Sequence, residues 1–120
     1  MSDYRRLSVK EVGEVTVARF RDWRIEDSNI TEVEEELFRL VDTDDCHKLL
    51  LNFSTVDFLS SAGLGRLLAL DQKAKKNGCI VKLCDIRPEI QQILAITKLD
   101  RLFDIRETEM DALVSFQESA

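Results

Sequence analysis

The residues with the clearest capacity for chemistry lie together in Ser60-Ser61-Ala62-Gly63-Leu64-Gly65, two adjacent hydroxyls and a run of small residues directly after an apolar segment. A serine so placed has two chemistries open to it: attack on a substrate, or acceptance of a phosphoryl group. Attack requires a general base within hydrogen-bond reach. The single histidine, His47, precedes the apolar run 48–53. About six residues at roughly 3.3 Å each put it ~20 Å from that run's other end, after which the serines follow. The Gly-x-Ser-x-Gly elbow is half missing, with Leu59 two residues before Ser61 and Gly63 two after. His47 therefore reads as a surface loop residue, and no catalytic set forms.

Nucleotide and metal sites fare no better. Gly63-Leu64-Gly65 leads into Arg66, without the Gly-Lys-Ser/Thr ending of a phosphate-binding loop and with too few glycines for a dinucleotide fingerprint. Asp42, Asp44 and Asp45 lack the spacing and central glycine of a calcium loop and read as a helix-ending turn. The residues imply no cofactor and no metal. What remains is a serine where a strand hands over to a helix. The first N–H groups of a helix have no intrahelical acceptor, so a hydroxyl there caps them, and a phosphate would be held by the same donors and by the helix dipole. Ser61 thus has two readings: an N-cap worth about 1 kcal/mol, or an exposed hydroxyl whose phosphorylation adds about −1.5 to −2 charges at pH 7.

The surrounding pattern predicts the elements that position these serines. Residues 6–12 and 15–20, turning at Gly13, form a hairpin. From Asn29 the period changes, placing Ile30, Val33, Leu37, Leu40 and Val41 on one helical face, with Ser28 or Asn29 as cap and Glu32, Glu34, Glu35 and Glu36 on a solvated face. The run 48–53 suits a strand covered on both sides. The following helix ends near Lys76 at Asn77-Gly78, and 79–84 is a second buried strand, completing a βαβ unit. Pro88 opens a third helix with Ile90, Ile93, Leu94 and Thr97 inward; 102–105 is a last strand; 110–116 begins a closing helix with Leu113 and Phe116 inward. The expected architecture is one α/β domain over 1–120, a mixed sheet of four or five strands with about four packed helices.

Composition narrows the partners. A net charge of −6 argues against nucleic acid, whose binding needs clustered Lys and Arg, and Lys73, Lys75 and Lys76 read as the solvated end of a helix. No apolar run of about 18 residues and no signal-peptide block is present, so no membrane insertion and a cytoplasmic location are expected. Cys46, Cys79 and Cys84 form no CxxC pair and read as small core residues of a reducing compartment.

The chain resembles the STAS domain of bacterial anti-sigma factor antagonists over nearly its whole length. Phe58-Leu59-Ser60-Ser61-Ala62-Gly63-Leu64-Gly65 is similar to a family variant reading Ser-Ser-Ala-Gly-Leu, with support from Leu51-Asn52-Phe53, Leu83-Cys84-Asp85-Ile86, Pro88, Thr97, Leu99, Leu102 and Phe103. The chain departs from the pattern at Ser60, where an acidic residue is frequent, at Trp23-Arg24-Ile25-Glu26, where Gly-x-Leu-Asp is frequent, and at Lys98, where Gly is frequent. The resemblance implies a non-enzymatic partner switch, monomeric or weakly dimeric. Unphosphorylated, it binds an anti-sigma factor that is also a serine kinase and frees a sigma factor; phosphorylation at Ser61, with Ser60 as the alternative, releases it, and a serine phosphatase resets it. The partner surface it implies comprises Asp57, Ser60, Ser61, Ala62, Gly63, Leu64 and Gly65, with Arg24 and Glu26 beside them. A phosphorylation-indifferent scaffold or adaptor in a signalling or lipid-transport assembly is the alternative within the same family.

Overall fold

The computed structural model describes residues 4–42 and 46–118. Strands β1 (Leu7–Val12) and β2 (Val15–Phe20) form the expected antiparallel hairpin around Gly13, whose φ of 59° favours glycine. β2 then pairs in parallel with β4 (Lys48–Asn52), β4 with β6 (Ile80–Cys84), and β6 with β7 (Asp104–Arg106), giving one five-stranded mixed sheet in the order β1-β2-β4-β6-β7. Two further two-residue strands, β3 (Arg24–Ile25) and β5 (Phe58–Leu59), pair in parallel outside that sheet. Their brevity leaves no periodicity to read, and the sequence reading had no element there.

Helices α1 (Ile30–Asp42), α2 (Ser61–Lys76) and α3 (Pro88–Ile96) cover one face of the sheet; α4 (Glu109–Glu118) covers the other. The alternation of β4 shows why both are needed: Leu49 and Leu51 enter the large core with α1 to α3, while Leu50 joins Val17, Cys84, Ala112 and Phe116 beneath α4. At about 25 cal/mol per Å² of apolar surface removed from water, each fully buried leucine contributes on the order of 2 kcal/mol before entropy is counted. All three cysteines are buried, as expected of core residues, and His47 is exposed.

Several expectations are corrected. Thr97 is not inward: it caps α3 at its C-terminus and donates from Oγ1 to the Ile93 carbonyl at 2.8 Å. The last strand starts later than 102–105, because Lys98 takes a left-handed conformation (φ 62°) and starts a 3₁₀ turn, Leu99–Arg101, that buries Leu99 and Phe103 and leaves Leu102 exposed. Asn29 does open α1, accepting from the Val33 N–H through its carbonyl, but its side chain turns back to the Glu26 N–H (3.0 Å) and the Arg24 carbonyl (2.8 Å), tying the helix to β3. Asp42 closes α1 and pairs with Lys73 at 3.0 Å, and Lys75 pairs with Asp71 at 3.2 Å. Asp44 and Asp45 lie outside the described residues.

The acidic stretch of α1 is not uniformly solvated. Glu36 is buried and accepts from the backbone N–H groups of Arg5 (3.0 Å), Arg6 (2.9 Å) and Leu7 (3.2 Å), so one carboxylate satisfies the donors at the entrance to β1. Charge-assisted bonds of this kind are about twice as strong as neutral ones. Glu36→Gln, which turns an amide N–H₂ toward those donors, is expected to lower stability by about 2 kcal/mol. Urea denaturation of the variant beside Glu35→Gln, an exposed control, checks this.

Candidate functional site

The serine turn is built outward from the end of β4. Asn52, nearly buried, accepts from the Ser54 N–H through Oδ1 (2.8 Å), and its amide donates to Asp85 (3.2 Å) and Glu109 (2.9 Å), which fixes where the chain leaves the sheet. The loop then closes onto β3: the N–H groups of Asp57 and Phe58 donate to the Trp23 carbonyl at 2.9 and 3.2 Å, and the Ser60 N–H donates to the Ile25 carbonyl at 2.9 Å. Ser60 is consequently extended (φ −76°, ψ 167°), and helical geometry starts at the next residue.

That register decides the roles of the two serines. Ser60 Oγ accepts from the Gly63 N–H at 3.1 Å, and the Ser60 carbonyl accepts from the Leu64 N–H at 3.0 Å. Ser60 is therefore the N-cap, and the expectation that Ser61 would fill that position is corrected. Ser61 is the first residue of α2 and is exposed. Pairing of β5 with β3 extends the chain through Ser60, a long-range effect that shifts the cap by one position.

Gly63 is also corrected. The resemblance implies a partner-facing Gly63, but the residue points inward: a Cβ there would stand 2.6 Å from Leu59 Cδ1 and 3.4 Å from Ile25 Cγ2. The space beside it, lined by Ile25, Leu59 and Leu67 among others, measures only about 10 Å³. Gly65 is the glycine that faces solvent, with nothing within 4 Å of a Cβ placed on it. Ser61, Gly65 and Leu68, at i, i+4 and i+7, form one exposed stripe of α2, while Ala62 and Leu64 are half-buried at its margins.

Arg24, Glu26 and Asp57 are brought to the same side by the β3–β5 pairing. The Arg24 guanidinium lies 4.0 Å above the Phe58 ring and 5.3 Å from that of Trp23, and reaches Glu26 at 3.3 Å. Trp23 is 56% exposed and Phe58 37%. Two aromatic rings joined by an arginine, uncovered beside an exposed serine and a bare glycine, have the composition of a protein-binding surface. The sequence reading places Arg24 and Glu26 here; that Trp23, Phe58 and Leu68 stay exposed near them leaves no local signature in the sequence.

As chemistry, the site offers a hydroxyl and oriented backbone donors. His47 lies before β4, whereas the serines follow its other end. Among the described residues no group of three or more His, Cys, Asp or Glu is arranged to hold a metal ion, and no helix is long and apolar enough to cross a membrane.

Comparison with known proteins agrees with the fold. The family model described as "STAS domain" matches residues 6–112. The chain is similar to the crystal structure of an anti-sigma factor antagonist from Mycobacterium paratuberculosis, with 26% identity, a TM-score of 0.81 and coverage of 91% of both chains. It is similar in fold to SpoIIAA, a Bacillus cell fate determinant, in its phosphorylated form, at 15% identity and a TM-score of 0.70 over 92% of this chain and 98% of that one. Among curated sequences it is 25% identical over 72 residues to an anti-sigma F factor antagonist from Paenibacillus polymyxa, a match spanning 60% of this chain and 62% of the relative.

Proposed function

The chain belongs to the STAS domain family, and from that premise we propose that it is an anti-sigma factor antagonist whose hold on a kinase-type anti-sigma factor is switched off by phosphorylation of Ser61. One observation carries this reading: the Ser61 hydroxyl stands exposed at the first turn of α2, with the cap position already filled by Ser60. In the unphosphorylated state the surface of Trp23, Phe58, Ser61, Gly65 and Leu68 seats the anti-sigma factor, and the sigma factor is freed. A phosphoryl group on Ser61 is tolerated by the helix, whose leading N–H groups and dipole favour an anion. At the interface it is not tolerated, because the dianion must be desolvated against the partner. The domain keeps its shape while its surface changes, and a serine phosphatase restores it.

Ser60 is disfavoured as the acceptor because its Oγ is engaged by the Gly63 N–H, and modification there has to break the helix cap. Protein recovered from its native cells and mapped by mass spectrometry is expected to carry phosphate on Ser61 with Ser60 bare. The unphosphorylated fraction should co-purify with an anti-sigma factor bearing a kinase domain. Phosphate mainly on Ser60, or equal recovery of the partner with both forms, would overturn the reading.

The surface carries its own reporter, since Trp23 is the only tryptophan of the chain and is largely exposed. Burial of an exposed indole moves its emission to shorter wavelength. Titration with the partner, selectively excited through a tryptophan-free partner variant, is expected to give a saturable blue shift for the unphosphorylated protein and none at the same concentrations for the phosphorylated one.

A further inference from the structure

Two of the three buried cysteines meet at the rim of the sheet opposite the serine turn. Cys46 lies two residues ahead of β4 and Cys79 immediately ahead of β6, where the Ile80 N–H donates to the His47 carbonyl at 2.9 Å and holds the two strand starts in register. Their Sγ atoms are 3.8 Å apart, and each residue is 5% exposed. A disulfide needs about 2.05 Å between sulfurs. The remaining approach is divided between two short side chains that already face each other.

The two sulfurs share one contact in which either thiol can donate, and burial opposes ionisation of both. Cys84, at the far end of β6, is pushed up chiefly by burial and faces Asp85 and Glu109.

We propose that Cys46 and Cys79 form a hydroperoxide-reactive dithiol site, in which one sulfur takes the oxidant and the other resolves it to an intrachain disulfide. In the first step the thiolate of one cysteine attacks one oxygen of hydrogen peroxide; the O–O bond breaks, hydroxide leaves and takes up the proton that thiol released, and the attacking cysteine becomes a sulfenic acid. In the second, the sulfur of the other cysteine attacks the sulfenic sulfur, the S–O bond breaks, and the hydroxyl leaves as water with the second thiol's proton. Two thiols are oxidised by two electrons, and one peroxide is reduced to two waters. The bridge spans residues 33 apart in the chain and closes the segment that carries β4, the serine turn and α2. It stands independently of the partner switch.

The test treats the reduced, folded protein with hydrogen peroxide and follows intact mass, peptide connectivity and the thermal midpoint. Expected are a loss of about 2 Da reversed by a phosphine reductant, a cross-linked peptide joining Cys46 to Cys79, and a midpoint raised by on the order of 5–10 °C. Cys79→Ser should stop at a sulfenic acid on Cys46, trapped by a dimedone reagent, and Cys84→Ala should behave as the parent. Oxygen added without a cross-link, a bridge through Cys84, or reaction only in denaturant would each overturn the proposal. If Cys79→Ser does not fold, connectivity in the parent protein decides the matter alone.

Discussion

Ser61→Asp is expected to lower affinity for the anti-sigma factor by more than about a hundredfold, a difference of roughly 3 kcal/mol, while leaving the domain at least as stable as the parent. The carboxylate enters the first turn of α2, where the dipole favours it by about 0.3–1 kcal/mol. At the proposed interface the same charge has to be desolvated beside Trp23 and Phe58. Ser61→Ala is expected to bind as the unmodified protein does and, being refractory to the kinase, to remain bound. Because Ser60 holds the cap, the alanine costs almost nothing in stability, whereas Ser60→Ala should cost about 1 kcal/mol. Titration calorimetry of both Ser61 variants with the purified partner, alongside thermal unfolding, separates the readings. Equal affinities for folded Ser61→Asp and Ser61→Ala would remove the phosphorylation switch and leave a scaffold indifferent to charge at this position.

The two glycines of the turn are expected to fail in different ways. Gly63→Val should destabilise the domain by about 3 kcal/mol, since its Cβ alone meets Leu59 Cδ1 at 2.6 Å and the neighbouring space is filled. Any loss of binding would then follow loss of fold. Gly65→Val places its branches in open solvent on the Ser61 stripe, so the domain should fold with only the modest helix cost of a β-branched residue. Its affinity for the partner should drop at least tenfold, because the bare backbone that admits close approach is covered. Denaturation and binding measured on both variants test this. A Gly65→Val protein that binds like the parent would remove the α2 stripe from the interface, and a fully stable Gly63→Val would contradict the packing against β5.

The sequence by itself determined the elements long enough to show a period. The hairpin, the amphipathic α1, the apolar β4 and β6 around α2, and the proline-led α3 follow from the spacing of apolar residues and from turn chemistry, which act between near neighbours. The serine turn was legible in the same way, as small residues and hydroxyls at a strand-to-helix junction, and the family motif singled out Ser61. Which serine caps the helix, which glycine faces out and which glutamate is buried were decided only by the tertiary structure. Each depends on a partner distant in sequence: the Ile25 carbonyl sets the Ser60 backbone, the Ile25 side chain closes the space beside Gly63 together with the nearby Leu59, and the strand entrance at Arg5, Arg6 and Leu7 claims Glu36 from an otherwise solvated run. The Arg24 bridge between Trp23 and Phe58 arises likewise from the pairing of two strands of two residues each, too short to carry a pattern and held together by backbone bonds that any side chains would permit.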